Sequence, residues 1–186
     1  MLTPTLPIHG SDSAAPANAV VRVTNLDSNT APVAANATAS GAFDLNIPGV
    51  PGNELRFQAQ VMDQRSAPID FIFTDSTPPT LVRSPRHTCV MLNPGFELAF
   101  EATGSQALTL LDACPGALSV SNPRQRRALP AFSFSGALPL ELAPNETGTL
   151  NVGFSGSAGA GLEDTLFLDL TATGSVLRYP ITLAAP

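Results

Sequence analysis

Apolar residues fall on every second position along most of this chain, and that period constrains the fold more than any other feature. Val21 and Val23 alternate with Arg22 and Thr24; Phe43, Leu45 and Ile47 with Asp44 and Asn46. Leu55, Phe57, Ala59 and Val61 alternate with Arg56, Gln58 and Gln60, and Ile69, Phe71 and Phe73 with Asp70 and Ile72. Further on come Phe96/Leu98/Phe100, Leu108/Leu110, Phe132/Phe134, Leu138/Leu140/Leu142, Leu150/Val152/Phe154, Leu166/Leu168/Leu170 and Leu177/Tyr179/Ile181/Leu183. Successive strand side chains point to opposite faces, so each set builds one apolar face and one polar face. The expected architecture is all-β: antiparallel sheets packed as immunoglobulin-like sandwiches.

Turn chemistry separates these runs. The stretches LDSNT (26–30), ASGAF (39–43), IPGVPGNE (47–54) and MDQRSAP (62–68) supply Gly, Pro, Asn, Asp and Ser, which provide positive φ, fixed φ or side-chain-to-backbone bonds. In LELAPNETGTLNV (140–152), Pro144 presets a turn and Asn145 tolerates positive φ, leaving Glu146 at an exposed tip. The polar, proline-containing stretch TDSTPPT (74–80) lacks apolar periodicity and marks a boundary. The predicted division is two tandem domains, 1–76 and 85–186, with a Pro-rich linker at 77–84. Pro139 and Pro180 fit edge positions or outward-facing ladder sites, because proline donates no N–H.

Composition narrows the function. The 186 residues are 44% hydrophobic and 13% charged, with 9 Arg, no Lys and a net charge of −6. That is a folding composition with no basic stripe for nucleic acid. The one basic cluster, Arg124, Arg126 and Arg127, is expected to be a solvated turn. No apolar run approaches the roughly 20 residues of a membrane span. The start MLTPTLPIHG has neither the charged n-region nor the apolar h-region of a signal peptide, as expected of a cytosolic chain or of a mature or truncated product.

Candidate chemistry is sparse. Cys89 and Cys114 are expected to form a disulfide across the open end of a hairpin made by the Phe96 and Leu108–Leu111 strands, which points to an oxidising compartment; buried free thiols are the alternative. His87 beside Cys89 is a thin case for a nucleophilic pair, and His9 is expected to be exposed. GFSGSAGAG (153–161) lacks the helix of a nucleophile elbow or a phosphate loop. Asp63 and Asp75 could join a calcium site, but no ligand spacing supports one. The sequons at Asn36 and Asn145 matter only in a glycosylating secretory system. No catalytic residue, metal ligand or cofactor is predicted.

FELAFEATGSQALTLLDA (96–113), LAPNETGTLNVGFSGSAGAG (142–161), DTLFLDL (164–170) and YPITLAA (179–185) together resemble the ASH domain, an immunoglobulin-like relative of the major sperm protein fold found in bacterial surface proteins. Ala102 stands where that pattern has Asn, and Asn145 where it has Gly. VVRVTN (20–25), ASGAF (39–43), PGNEL (51–55) and RFQAQVMD (56–63) are similar to short bacterial immunoglobulin-like repeats, and nearly as similar to carboxypeptidase-regulatory domains. The resemblances imply non-catalytic modules. The expected function is a non-enzymatic structural or assembly protein outside the cell or on its surface, with periplasm as a variant. Other protein subunits would be its partners, with Leu2, Leu6 and Ile8 as a strand donated to a neighbour. The alternative is a calcium-assisted carbohydrate- or ligand-binding module, although the sequence has no Trp and one Tyr for stacking.

Overall fold

The computed structural model describes residues 4–62, 64–77, 79–157 and 161–185. They contain strands, turns and loops and no helix. Contacts divide the chain into two compact units, 1–84 and 85–186.

The first unit holds eight strands: β1 (Thr5–Gly10), β2 (Val20–Asn25), β3 (Val33–Asn36), β4 (Phe43–Pro48), β5 (Glu54–Val61), β6 (Gln64–Arg65), β7 (Ile69–Phe73) and β8 (Leu81–Arg83). The larger sheet has the order β3-β2-β5-β7-β8, with β6 also pairing β5, and the smaller sheet is β1-β4 alone. Leu6, Ile8, Leu45 and Ile47 of the small sheet meet Val21, Val23, Leu55 and Phe73 of the large one in one buried cluster. All but Leu6 and Ile8 belong to the period-two sets named above.

Three expectations change here. Leu6 and Ile8 are not a free donor strand: β1 pairs antiparallel with β4 from Thr5↔Pro48 to Gly10↔Phe43, and both side chains are 4% exposed. Burying two large aliphatic side chains is worth roughly 3–6 kcal/mol, which holds the segment on its own unit. Leu2 lies outside the described residues. The 77–84 linker is shortened, because Leu81–Arg83 forms β8 and pairs with Phe71–Phe73. Finally, the polar positions of β5 are not wet: Arg56 is 2% exposed, where it donates from Nε and Nη2 to the two carboxylate oxygens of Asp70 at 2.8 and 2.9 Å.

The second unit holds β9 (Val90–Asn93), β10 (Glu97–Ala99), β11 (Gly104–Asp112), β12 (Leu118–Gln125), β13 (Phe132–Ser135), β14 (Leu140–Leu142), β15 (Thr147–Phe154), β16 (Leu162–Ala172) and β17 (Ser175–Ala185). A five-stranded sheet, β10-β17-β16-β12-β14, faces a four-stranded sheet, β13-β15-β11-β9. Between them lies one apolar cluster that includes Leu98, Leu108, Leu150, Leu168 and Ile181. Phe100, Phe132 and Phe154 add a trio of rings with centroids 5.2–5.9 Å apart. One pair departs from the antiparallel expectation: β10 runs parallel to β17. Thr182 N–H donates to Phe96 O and Phe100 N–H to Ala184 O, so the even positions of β17 face β10. Pro180 has the same parity but lies beyond the register with β10, so its missing N–H interrupts no ladder.

Candidate interaction surfaces

The structure brings Cys89 and Cys114 into a disulfide with Cα atoms 4.8 Å apart. The ladder it closes is not the expected one. Cys89 precedes β9, which pairs with β11 up to Val90↔Asp112, whereas the strand after Phe96 lies in the opposite sheet. The bridge therefore fastens an edge strand, and Ala113 N–H donates to Cys89 O beside it.

His87 is held by structure on every side. Its Nε2 donates to Leu170 O at 3.1 Å, its ring stacks on Tyr179 at 6.2 Å, and the Tyr179 hydroxyl donates to His87 O at 3.0 Å. Burial pushes the Tyr179 hydroxyl pKa up to about 12, against the opposing charge of Arg86. With Cys89 bridged, the thiolate that a Cys–His pair requires is absent.

The basic cluster is not a solvated turn. Arg124 donates to Asp169 at 3.1 Å and lies over the Phe167 ring at 5.2 Å, with Arg178 over the same ring at 4.9 Å. Burial raises the Asp169 pKa, but hydrogen bonds from Asn122 and Arg124 and the charges of Arg124 and Arg178 outweigh it and hold it low. Arg126 is 7% exposed, and Arg127 donates to Glu163 O at 3.2 Å. Asp164, which is fully buried, organises the next turn. Its carboxylate accepts the N–H groups of Arg127, Thr165 and Leu129 at 2.8, 2.7 and 3.0 Å.

Glu146 is a turn residue. Asn145 sits at φ 68°, Glu146 N–H donates to Ala143 O, and Glu146 Oε2 accepts Ala143 N–H at 2.8 Å. Asn36 and Asn145 are both exposed. Asp75 is exposed, while Asp63 and residues 158–160 of the glycine-rich loop lie outside the described residues. Among the described residues, no three His, Cys, Asp or Glu side chains are grouped to hold a metal ion.

What stands out instead is sheet edge. In the second unit, the edge strands β9 and β13 expose Met91 (60%) and Phe134 (39%). In the first, β8 exposes Leu81 (36%) and Val82 (51%). Thr74 N–H donates to Thr80 O and Ser84 N–H to Asp70 O. By strand parity Val82 faces β7, and the backbone groups of Leu81 and Arg83 point outward. Pro79 and Pro85 occupy the next outward positions, so the open edge is two residues long. A groove of about 440 Å3 runs between Pro7, Ile8 and His9 on one side and Phe73, Pro79 and Leu81 on the other. A smaller apolar cleft of about 220 Å3 lies among Ala15, Val21, Phe43, Phe57 and Ile69. Sequence reasoning missed β8; its signal was the apolar pair Leu81-Val82 between prolines.

No family model matches the chain, and no curated protein matches it. Among solved structures, a C. elegans MSP family member aligns over 54% of this chain and all of its own, at 10% identity and TM-score 0.44. The Vibrio cholerae VesB protease aligns over 93% of this chain and 64% of its own, at 11% identity and TM-score 0.45. E. coli alpha-2-macroglobulin aligns over 83% of this chain and 10% of its own, at 15% identity and TM-score 0.28. The β-sandwich therefore stands on the strand pairing described above.

Proposed function

We propose that this is a non-enzymatic structural or assembly protein that works outside the cell, on its surface or in the periplasm, by contacts between its sheet edges and other protein subunits. The observation that carries this reading is the set of edge strands bearing exposed apolar side chains: Leu81 and Val82 on β8, Met91 on β9 and Phe134 on β13. Unpaired strand edges are templates for pairing with another chain, and monomers ordinarily blunt them with charge, proline or cover. The disulfide suits an oxidising compartment, and among the described residues no helix is long and apolar enough to cross a membrane.

The test is sedimentation velocity of the full chain over a concentration series, with and without calcium, alongside a glycan array. Concentration-dependent association that weakens in Met91→Lys, Phe134→Lys or Val82→Lys is the expected result. A monomer at all concentrations that binds glycans only with calcium would replace this reading with a lectin-like one.

A further inference from the structure

We infer that the first unit is a strand acceptor: the groove beside β1 takes an extended, basic-ended segment of another protein as a third strand of the small sheet. The inference rests on the edge-contact reading above and names which edge is used and what fills it.

The small sheet has two strands against a large sheet of six. Where a third strand would lie beside β1, the structure has the groove between Pro7–His9 and Phe73, Pro79 and Leu81. Its floor is apolar: Ile8 and Phe73 are 4% and 6% exposed, and Leu81 stands 36% open.

The backbone of β1 says what kind of molecule fits. Gly49 N–H donates to Pro4 O, and the register continues Leu6↔Ile47, Ile8↔Leu45 and Gly10↔Phe43. The even positions therefore face β4, and Thr5, Pro7 and His9 face the free edge. That edge offers N–H and C=O from Thr5 and His9 and C=O alone from Pro7, the pattern that an added strand satisfies and a small apolar ligand does not. A pleated strand lying there directs alternate side chains onto Phe73 and Leu81, so its apolar residues fall at every second position.

Charge selects the partner. Asp44, cross-strand from His9, is exposed with Oδ1 2.7 Å from His9 Nδ1. Asp75 is exposed in the β7–β8 turn, which a cluster of Thr74, Ser76 and Thr80 hydroxyls closes. These carboxylates, on a chain of net charge −6, disfavour a second copy and favour a segment ending in Lys or Arg.

The test uses the full chain and a fluorescent peptide of alternating valine and threonine ending in two lysines, with the same peptide ending in two glutamates as control. Anisotropy is expected to show the lysine peptide binding at least about tenfold more tightly than the glutamate one. Thr5→Pro removes an outward N–H without touching the β4 ladder, so it should weaken binding by about tenfold at an unchanged melting temperature. Leu81→Asp should do the same from the opposite wall. Absence of binding, or binding indifferent to Thr5→Pro and Leu81→Asp, would overturn the proposal. So would dimerisation of the chain alone that Thr5→Pro abolishes, which would make the occupant a second copy. Met91 and Phe134 lie in the second unit, so the edge-contact reading survives or falls by their variants, separately from this one.

Discussion

Gly41 sits at φ +87°, and a Cβ there would lie 2.2 Å from the Ala15 carbonyl oxygen. Gly41→Ala meets both a disfavoured backbone region and a rigid neighbour. It should cost roughly 1–3 kcal/mol or more, visible as a lower urea midpoint; an unchanged midpoint would mean that the 13–15 loop does not pack as described. Asp164 gives a sharper case. Replacing it with Ala leaves three backbone N–H groups without their acceptor, a loss of about 3 kcal/mol or more, while Asn should restore part of it. Tyr179 is the sole tyrosine, so its ionisation can be followed by tyrosinate absorbance. The folded protein holds the proton with a pKa of about 12, above the unfolded value near 10. This contribution to stability is complete below pH about 10 and is lost as pH rises toward about 12. The unfolding midpoint should fall across that window, and less steeply in Tyr179→Phe. The positive φ of Asn145 was legible from its place after Pro144 in a turn. The work of Asp164 was not, because nothing local marks a carboxylate two of whose three partners, Leu129 and Arg127, lie 35 and 37 positions away.

At the scale of elements, the disulfide fastens β9 to β11 across a separation of 25 residues. The chain-entropy account gives about 3 kcal/mol for closing such a loop. Reduction, or Cys89→Ser with Cys114→Ser, should lower stability by about that much and selectively speed amide exchange in Val90–Asn93. Uniform loss across both units would contradict the assignment of the bridge to one edge. The period-two pattern carried most long strands, since Leu55–Val61 and Leu177–Leu183 have enough turns of the alternation to be unambiguous; β12 (Leu118–Gln125) escaped because its apolar alternation ends at Val120 and polar residues and Pro123 fill the rest. Short strands escaped it. Three residues of β8 between prolines, and four of β3 in an alanine-rich stretch, show too few alternations to separate from loop. Pairing direction was beyond it as well: the parallel approach of β10 to β17 is set by contacts nearly ninety residues apart.

For the whole molecule, two all-β units follow from alternation and turn chemistry, and what remains open on them is edge. Polar residues that a composition count would leave free in solvent are instead tied to partners within the chain: Arg56, buried, to Asp70, Arg124 to Asp169, and the exposed Glu146 to its own turn. The edge strands β8, β9 and β13 each carry exposed apolar side chains, as do Met62 and Val176 at strand ends and turns, and the free backbone of β1 lines a groove. That distribution, rather than any pair of titratable groups, supports a role in contacts between chains. The most direct measurement is residue-resolved amide exchange of the isolated full chain. The account predicts fast exchange at Thr5, His9, Leu81 and Arg83, whose N–H groups face open edges, and slow exchange at their neighbours Leu6, Ile8 and Val82. Protection at the outward four equal to that of their neighbours would mean that those edges are already paired, and would contradict it.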